Sequence, residues 1–238
     1  MSGLSYCGSP APEWCGYEVF EPAAHALEAR SLSVPGLAGA KLLGCEVPPR
    51  TITVRIWPDL GPDAGEEEAE AAKRRLRLWL LAAGGGTLRL PSEIEYRDAV
   101  VTGSAAWPSE KGGYADIEFT CFDPIGYGAE VVSEAERFDL GGTWPSRPVV
   151  RGRSDGTGYA GATYACGEGP FTAGLHFPAV EGDEVVLDFE KRAILINQQD
   201  RSADADLESE WFALAPGSPR VIVSGLKGWT VTCRERWV

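Results

Sequence analysis

Polar and apolar positions alternate most cleanly along Thr51-Ile52-Thr53-Val54-Arg55-Ile56-Trp57. Ile52, Val54 and Ile56 fall on one side; Thr51, Thr53 and Arg55 fall on the other. β-Branched residues dominate, so the segment predicts a strand with one buried face. Over 65–83 the period changes. Ala69, Ala72, Leu76, Trp79, Leu80 and Ala83 share one helical face, as a helix packed flat on a sheet requires. Glu66, Glu67, Glu68 and Glu70 suit its positive end; Lys73, Arg74, Arg75 and Arg77 suit its negative end, with Glu70 and Arg74 spaced as an ion pair. Asp63 with Glu66 resembles a capping box, and Gly84-Gly85-Gly86 ends the helix. Leu88, Leu90 and Pro91 open a new extended segment. Ile94 to Val101 and Tyr114 to Phe122 read as strands, with a turn at Gly112-Gly113. Asp123-Pro124-Ile125-Gly126-Tyr127-Gly128 closes this half.

Helical periodicity then disappears. Gly141-Gly142-Thr143-Trp144-Pro145-Ser146-Arg147-Pro148 reads as a linker into a second domain, and Val149-Val150-Arg151-Gly152 as its first strand. Val185 to Phe189 and Ala193 to Asn197 predict a hairpin turning near Glu190-Lys191-Arg192. Residues 198–210 form a polar loop, Arg220 to Val223 a strand, and Trp229 to Trp237 a last alternating strand. Short strands at this spacing indicate a β-sandwich. Residues 1–40 carry one short strand, Tyr17 to Phe20, in a Gly-, Pro- and Ala-rich loop or arm. The expected fold is mainly β with one packed helix: a sheet-plus-helix domain over 1–138, completed by the last strand (229–238), and a β-sandwich over 139–228.

Composition narrows the function. The aromatic residues, 8 Trp, 8 Phe and 7 Tyr, suffice for a packed core, and the 29 Gly and 17 Pro suit a chain with many turns. A net charge of −13 opposes tight DNA or RNA binding and serves solubility. The six cysteines form no CxxC pair, so no zinc site is expected; they read as mostly buried and reduced. No signal peptide and no membrane-spanning run is visible.

Candidate chemistry is sparse. His25 and His176 lack a nucleophile motif, and His176, between Leu175 and Phe177, reads as structural. Asp183, Glu184, Asp188 and Glu190 lie on or beside one hairpin, and Asp188 and Glu190 share a strand face, as a glycosidase pair requires, yet 35 acidic residues make such spacing ordinary. Asp200, Asp204 and Asp206 lack the spacing of a calcium loop. Gly84-Gly85-Gly86 follows a helix, so it is no phosphate loop. No catalytic residue, cofactor or metal is expected. Trp144, Tyr159, Tyr164 and Trp211 are the candidates for contact with a carbohydrate or a partner.

Several motifs in order resemble one family. They are Ile52-Thr53-Val54-Arg55-Ile56, an acidic helix ending Leu76-Arg77-Leu78-Trp79-Leu80, and Gly86-Thr87-Leu88-Arg89-Leu90-Pro91. Tyr96 to Val100, Ile117-Glu118-Phe119-Thr120-Cys121-Phe122-Asp123-Pro124 and Tyr127-Gly128 follow. The later half adds Gly142, Pro145 and Arg147-Pro148, then Gly182 to Asp188 and Trp211 to Gly217. Over about 45–238 the chain resembles the distal tail proteins of siphophages and related prophages. Ser218-Pro219 departs from relatives that carry Asn, and the first 40 residues match poorly. The resemblance implies a virion structural protein of the tail tip or baseplate, assembled in the host cytoplasm and not an enzyme. Its N-terminal domain would form a ring, typically a homohexamer, and its second domain would be galectin-like. The implied partners are further copies, the major tail-tube protein and a tail-associated lysin or fibre hub, around a channel for DNA. The alternative is a carbohydrate-binding β-sandwich protein that aids attachment to a cell-wall glycan.

Overall fold

The computed structural model describes residues 3–20, 27–33, 35–36, 38–61, 63–81, 85–104, 113–166, 169–176 and 180–238. His25, Ala83, Gly84 and Gly112 lie outside the described residues. The chain divides into two compact units, Met1–Gly126 with Val238, and Tyr127–Trp237.

The first unit contains β1 (Ser5–Tyr6), β2 (Ser9–Pro10), β3 (Cys15–Phe20), β4 (Glu28–Ser33), β5 (Ala40–Glu46) and β6 (Arg50–Pro58). Helix α1 (Glu66–Leu80) follows, then β7 (Gly86–Arg89), β8 (Glu95–Ser104) and β9 (Ala115–Cys121). The sheet is antiparallel, with β3 on β6, β6 on β9, β9 on β8, β8 on β7 and β7 on β1. The alternation at 51–57 has the expected outcome: Ile52, Val54 and Ile56 are buried beside Ile117, Phe119 and Cys121. Tyr6 closes this core. Its ring meets Phe119 at 5.1 Å, and its hydroxyl donates to the Ala99 carbonyl at 3.2 Å. Gly16, opposite Trp57, is needed for contact: a Cβ there would stand 2.2 Å from the indole.

Helix α1 presents Ala69, Ala72 and Leu76 to the core. Two details differ from the sequence reading. The N-cap is Gly65, with no side-chain cap bond, so the Asp63 capping box does not form. Glu70, spaced to pair with Arg74, accepts from the buried Lys73 at 3.0 Å.

The second unit holds β10 (Gly126–Ser133), β11 (Val149–Ser154), β12 (Tyr159–Cys166), β13 (Gly169–His176), β14 (Glu184–Asp188) and β15 (Ala193–Ile196). It ends with β16 (Gln199–Asp200), β17 (Arg220–Ser224) and β18 (Leu226–Trp237). One sheet runs β16-β15-β14-β11-β18-β10; a second runs β13-β12-β17. Val150, Leu187, Phe189, Ile194, Phe212, Leu214, Val221 and Val231 fill the core of this β-sandwich. The division at Gly126 precedes the boundary expected at 138. The last strand belongs to the second unit because it pairs with β11 on one side and β10 on the other, and only Val238 is assigned to the first unit.

The stretch 141–148 is not a free linker. Leu140 and Gly217 exchange backbone hydrogen bonds at 2.8 Å, and Ser146 and Leu214 do so at 2.9 and 2.7 Å. The Thr143 and Trp144 amides both donate to the Arg236 carbonyl, at 2.9 and 3.0 Å. The buried Ser146 hydroxyl donates to the Arg234 carbonyl. The segment is thus stitched between the last strand and 214–217.

Candidate assembly surfaces

Three surfaces of the described chain are unlike ordinary solvated protein. The first is β4–β5. These strands pair only with each other, over Glu28↔Glu46 to Ser33↔Ala40, and every residue in them is exposed. Within the stretch 1–40 that reads as a loop or arm, Glu28–Ser33 is instead one strand of a hairpin with Ala40–Glu46. A bulge interrupts its register between Arg30 and Ser31, and Arg30 pairs with Glu46 across it. Leu27, Leu32, Leu42 and Leu43 stand in solvent, and none belongs to either core. An isolated two-stranded hairpin is marginal in water. It is also the distal stretch of a longer device, since β3 leads into it and β6, the partner of β3, leads out.

The second surface is the outward face of β3, β6 and β9. Across these strands it carries Glu18, Asp116 and Glu118 against Arg55, with Thr51, Thr53 and Thr120 between. Arg55 is not free to hold a phosphate. Its guanidinium binds Asp116 through two bonds of 2.8 and 3.1 Å, 4.1 Å from the Tyr114 ring and 5.2 Å from that of Phe20. The Arg55 hydrogen bond and charge hold the Asp116 carboxyl below the usual carboxylate range. The face is therefore acidic and hydroxyl-rich, with its cation neutralised in place.

The third is a groove of about 600 Å³ beside β13, lined by Thr172, Gly174, His176 and residues 205–209. The loop is tied down by Asp206 N–H to Gly174 O at 2.9 Å and by Glu210 N–H to Thr172 O at 2.8 Å. His176 Nδ1 stands 3.1 Å from both carboxylate oxygens of Asp206, and its ring lies tilted against Tyr159, centroids 4.8 Å apart. Gly161 and Gly174 are opposed across β12 and β13, and a Cβ on either would strike the Tyr159 hydroxyl. Burial and the nearby Asp206 charge raise the Tyr159 phenol.

The four aromatic candidates do not converge. Tyr164 is buried 5.6 Å from Phe212, and Trp211 is half-buried with its ring 5.4 Å from Phe189. Trp144 is half-buried in the stitched segment, leaving Tyr159 as the one beside the groove. The carboxylates are also dispersed. Asp188 accepts from the Glu190 and Lys191 amides of its own turn, while Glu190 pairs with Arg236 at 2.6 Å. Asp200 caps Ser202, Asp204 pairs with Arg201, and Asp206 holds His176. Among the described residues, no group of three or more His, Cys, Asp or Glu could hold a metal ion.

Residues 141–237 match the model of the siphovirus-type tail component, C-terminal domain. Over those residues the chain is similar to that tail-component family. The matched residues include the later ordered motifs, Gly182 to Asp188 and Trp211 to Gly217. No curated protein matches the chain by sequence. The whole chain is similar in fold to the crystal structure of the phage SPP1 Dit (gp 19.1) protein, described as a paradigm of the hub adsorption apparatus in phages infecting Gram-positive bacteria. That match has a TM-score of 0.77 and 16% identity, and covers 99% of each chain. Structures of the phage P2 baseplate in its activated conformation, with Ca and with Sr, align at a TM-score of 0.42 and 9% identity, over 92% of this chain and 90% of theirs.

Proposed function

We propose that this chain is a distal tail protein, a non-enzymatic ring subunit that joins the tail tube of a siphophage or prophage to its tail-tip hub and leaves a channel for DNA. The observation that carries the reading is the fold shared with SPP1 Dit over 99% of both chains, together with the family match at 141–237. The arm β4–β5 supports self-assembly, because a hairpin exposed along its whole length gains its stability from a neighbour. The acidic, threonine-rich face of β3, β6 and β9 supports a channel wall. Duplex DNA slides past carboxylates and hydroxyls without the phosphate pairing that halts it. A closed ring of six copies, with the tail-tube protein on one side and the hub on the other, is the arrangement we favour. Any outward contact with a cell-wall glycan belongs to the groove beside Tyr159 and His176.

The test is the mass of the purified chain by light scattering, with negative-stain images of the same sample. Rings with a central hole are expected. A strict monomer at high concentration that also fails to assemble with a tail-tube protein would overturn the reading.

A further inference from the structure

Helix α1 carries charges and leucines that its own unit does not use. Ala69, Ala72, Lys73 and Leu76, at helical spacings of three and four, are buried on one side. Arg74, Arg77, Leu78 and Leu81 repeat that spacing on another side, and all four are exposed. Leu78 is 71% exposed and Leu81 76%, and neither belongs to the core. Glu70, which is spaced to pair with Arg74, is already taken by Lys73. Among the described residues Arg74 and Arg77 form no ion pair. The helix dipole favours a base in the last turn, where Arg77 lies; it asks neither for Arg74 nor for leucine in water.

We infer that this stripe of α1 docks an acidic, leucine-bearing segment of another protein. The segment's carboxylates pair with the Arg74 and Arg77 guanidinium forks, and its apolar side chains cover Leu78 and Leu81. Charge names the occupant. The chain has 35 acidic residues against 22 basic ones, so two neighbouring arginines without a carboxylate form a local exception that only an anionic group complements. A broad anionic surface, lipid or nucleic acid, meets the net charge of −13 as well, whereas a single segment meets the stripe alone within a screening length. The leucines are needed too. An ion pair in open water is worth little, and apolar cover excludes water from it. The inference stands on a single copy, so it survives a failure of the ring reading.

The test is fluorescence anisotropy with the full chain and a labelled peptide of repeating Glu-Leu-Leu-Glu, beside a Gln-Leu-Leu-Gln peptide of the same length. Wild type should prefer the glutamate peptide by about tenfold. R74E/R77E should abolish that preference, and L78N/L81N should weaken both peptides by about tenfold. R151E/R153E, which changes the net charge equally at two exposed arginines of the second unit, should leave binding unaltered. The replaced positions face solvent, so each variant should melt at the wild-type temperature; R74Q/R77Q takes the place of a charge reversal that does not, and should also lose the preference. Binding that is equal in wild type and R74E/R77E, binding that falls as far in R151E/R153E, or no binding at millimolar peptide overturns the inference. So do two other results in the absence of peptide binding. Capture of wild type by phosphatidylglycerol vesicles, lost in R74E/R77E, would make the stripe a lipid surface. Self-association lost in R74E/R77E would make it a contact between copies.

Discussion

Replacing Phe212 by alanine asks whether Trp211-Phe212-Ala213-Leu214 is a core motif or a ligand platform. Phe212 is 7% exposed, with its ring 4.3 Å from Phe189 and 5.6 Å from Tyr164. Removing a buried phenylalanine costs about 3–5 kcal/mol, because the aromatic contacts vanish and the cavity closes only in part. In a unit of this size each kcal/mol lowers Tm by roughly 4 °C, so Phe212→Ala should shift the second unit's transition by about 12–20 °C. Trp211→Ala removes a half-buried ring that leans edge-on against Phe189 at 5.4 Å; about 1–3 kcal/mol is expected. Phe212→Leu, which refills most of the volume, should fall below the alanine loss. Calorimetry, or circular dichroism followed against temperature, reads all three. A drop below about 4 °C for Phe212→Ala would mean that the ring is not part of the core, and the structural account of the motif would fail.

Thr53→Lys with Glu118→Lys should give assembled rings a new affinity for short duplex DNA, with a salt slope steeper by about 0.9 per engaged lysine in an anisotropy titration; no gain at low salt would remove that face from the channel. Asp116→Asn tests the Arg55 pair. A carboxyl depressed in the folded state contributes stability above its ordinary pKa of about 3.9 and loses it as pH falls through the folded value. The variant should therefore be slightly weaker at neutral pH and converge with wild type in acid, as urea midpoints against pH would record. Thiol titration should find Cys7 and Cys45 reactive in the native protein. Cys15, Cys121 and Cys233, buried and with thiols pushed up to about 11, 12 and 11, should react only on unfolding. Ring assembly should strengthen between low and moderate salt, as sedimentation velocity would show, because screening relieves repulsion between acidic copies faster than it weakens a leucine contact.

The fold was legible wherever one face of an element is buried and its residues have strong preferences. Ile52, Val54 and Ile56 announce β6, and Ala69, Ala72 and Leu76 announce α1. The arm was not legible. Its strands are exposed on both faces within the monomer, so Glu28 to Ser33 and Ala40 to Glu46 carry no period of two. The β12–β13 hairpin was hidden for another reason. Its facing pairs include Gly161 with Gly174 and Ala162 with Ala173, residues depleted in strands. The Glu70–Lys73 pair was not legible, because charge spacing alone favours Arg74, whereas the turn of α1 that buries Ala72 and Leu76 carries Lys73 inward too. Of the carbohydrate candidates, Tyr164 and Trp211 were chosen as aromatics near polar loops. Sequence cannot tell that their rings turn toward Phe212 and Phe189.

In the proposed assembly the acidity and the apolar arm would answer opposite demands. In the proposed ring a wall beside passing DNA would offer no free cation, and Arg55 is held by Asp116 and faces two aromatic rings. The same acidity, at −13 for every copy, drives subunits apart. Contacts between acidic subunits therefore need surface that is locally neutral and apolar. The arm satisfies that demand, with two acids, two bases and four exposed leucines between Leu27 and Glu46. An arm that was itself acidic would add repulsion at the point of closest approach; one that was strongly basic would meet the DNA or the wrong carboxylates. In the proposed ring, neutral leucine on a strand with open edges would let an acidic chain assemble and keep its channel free of cations.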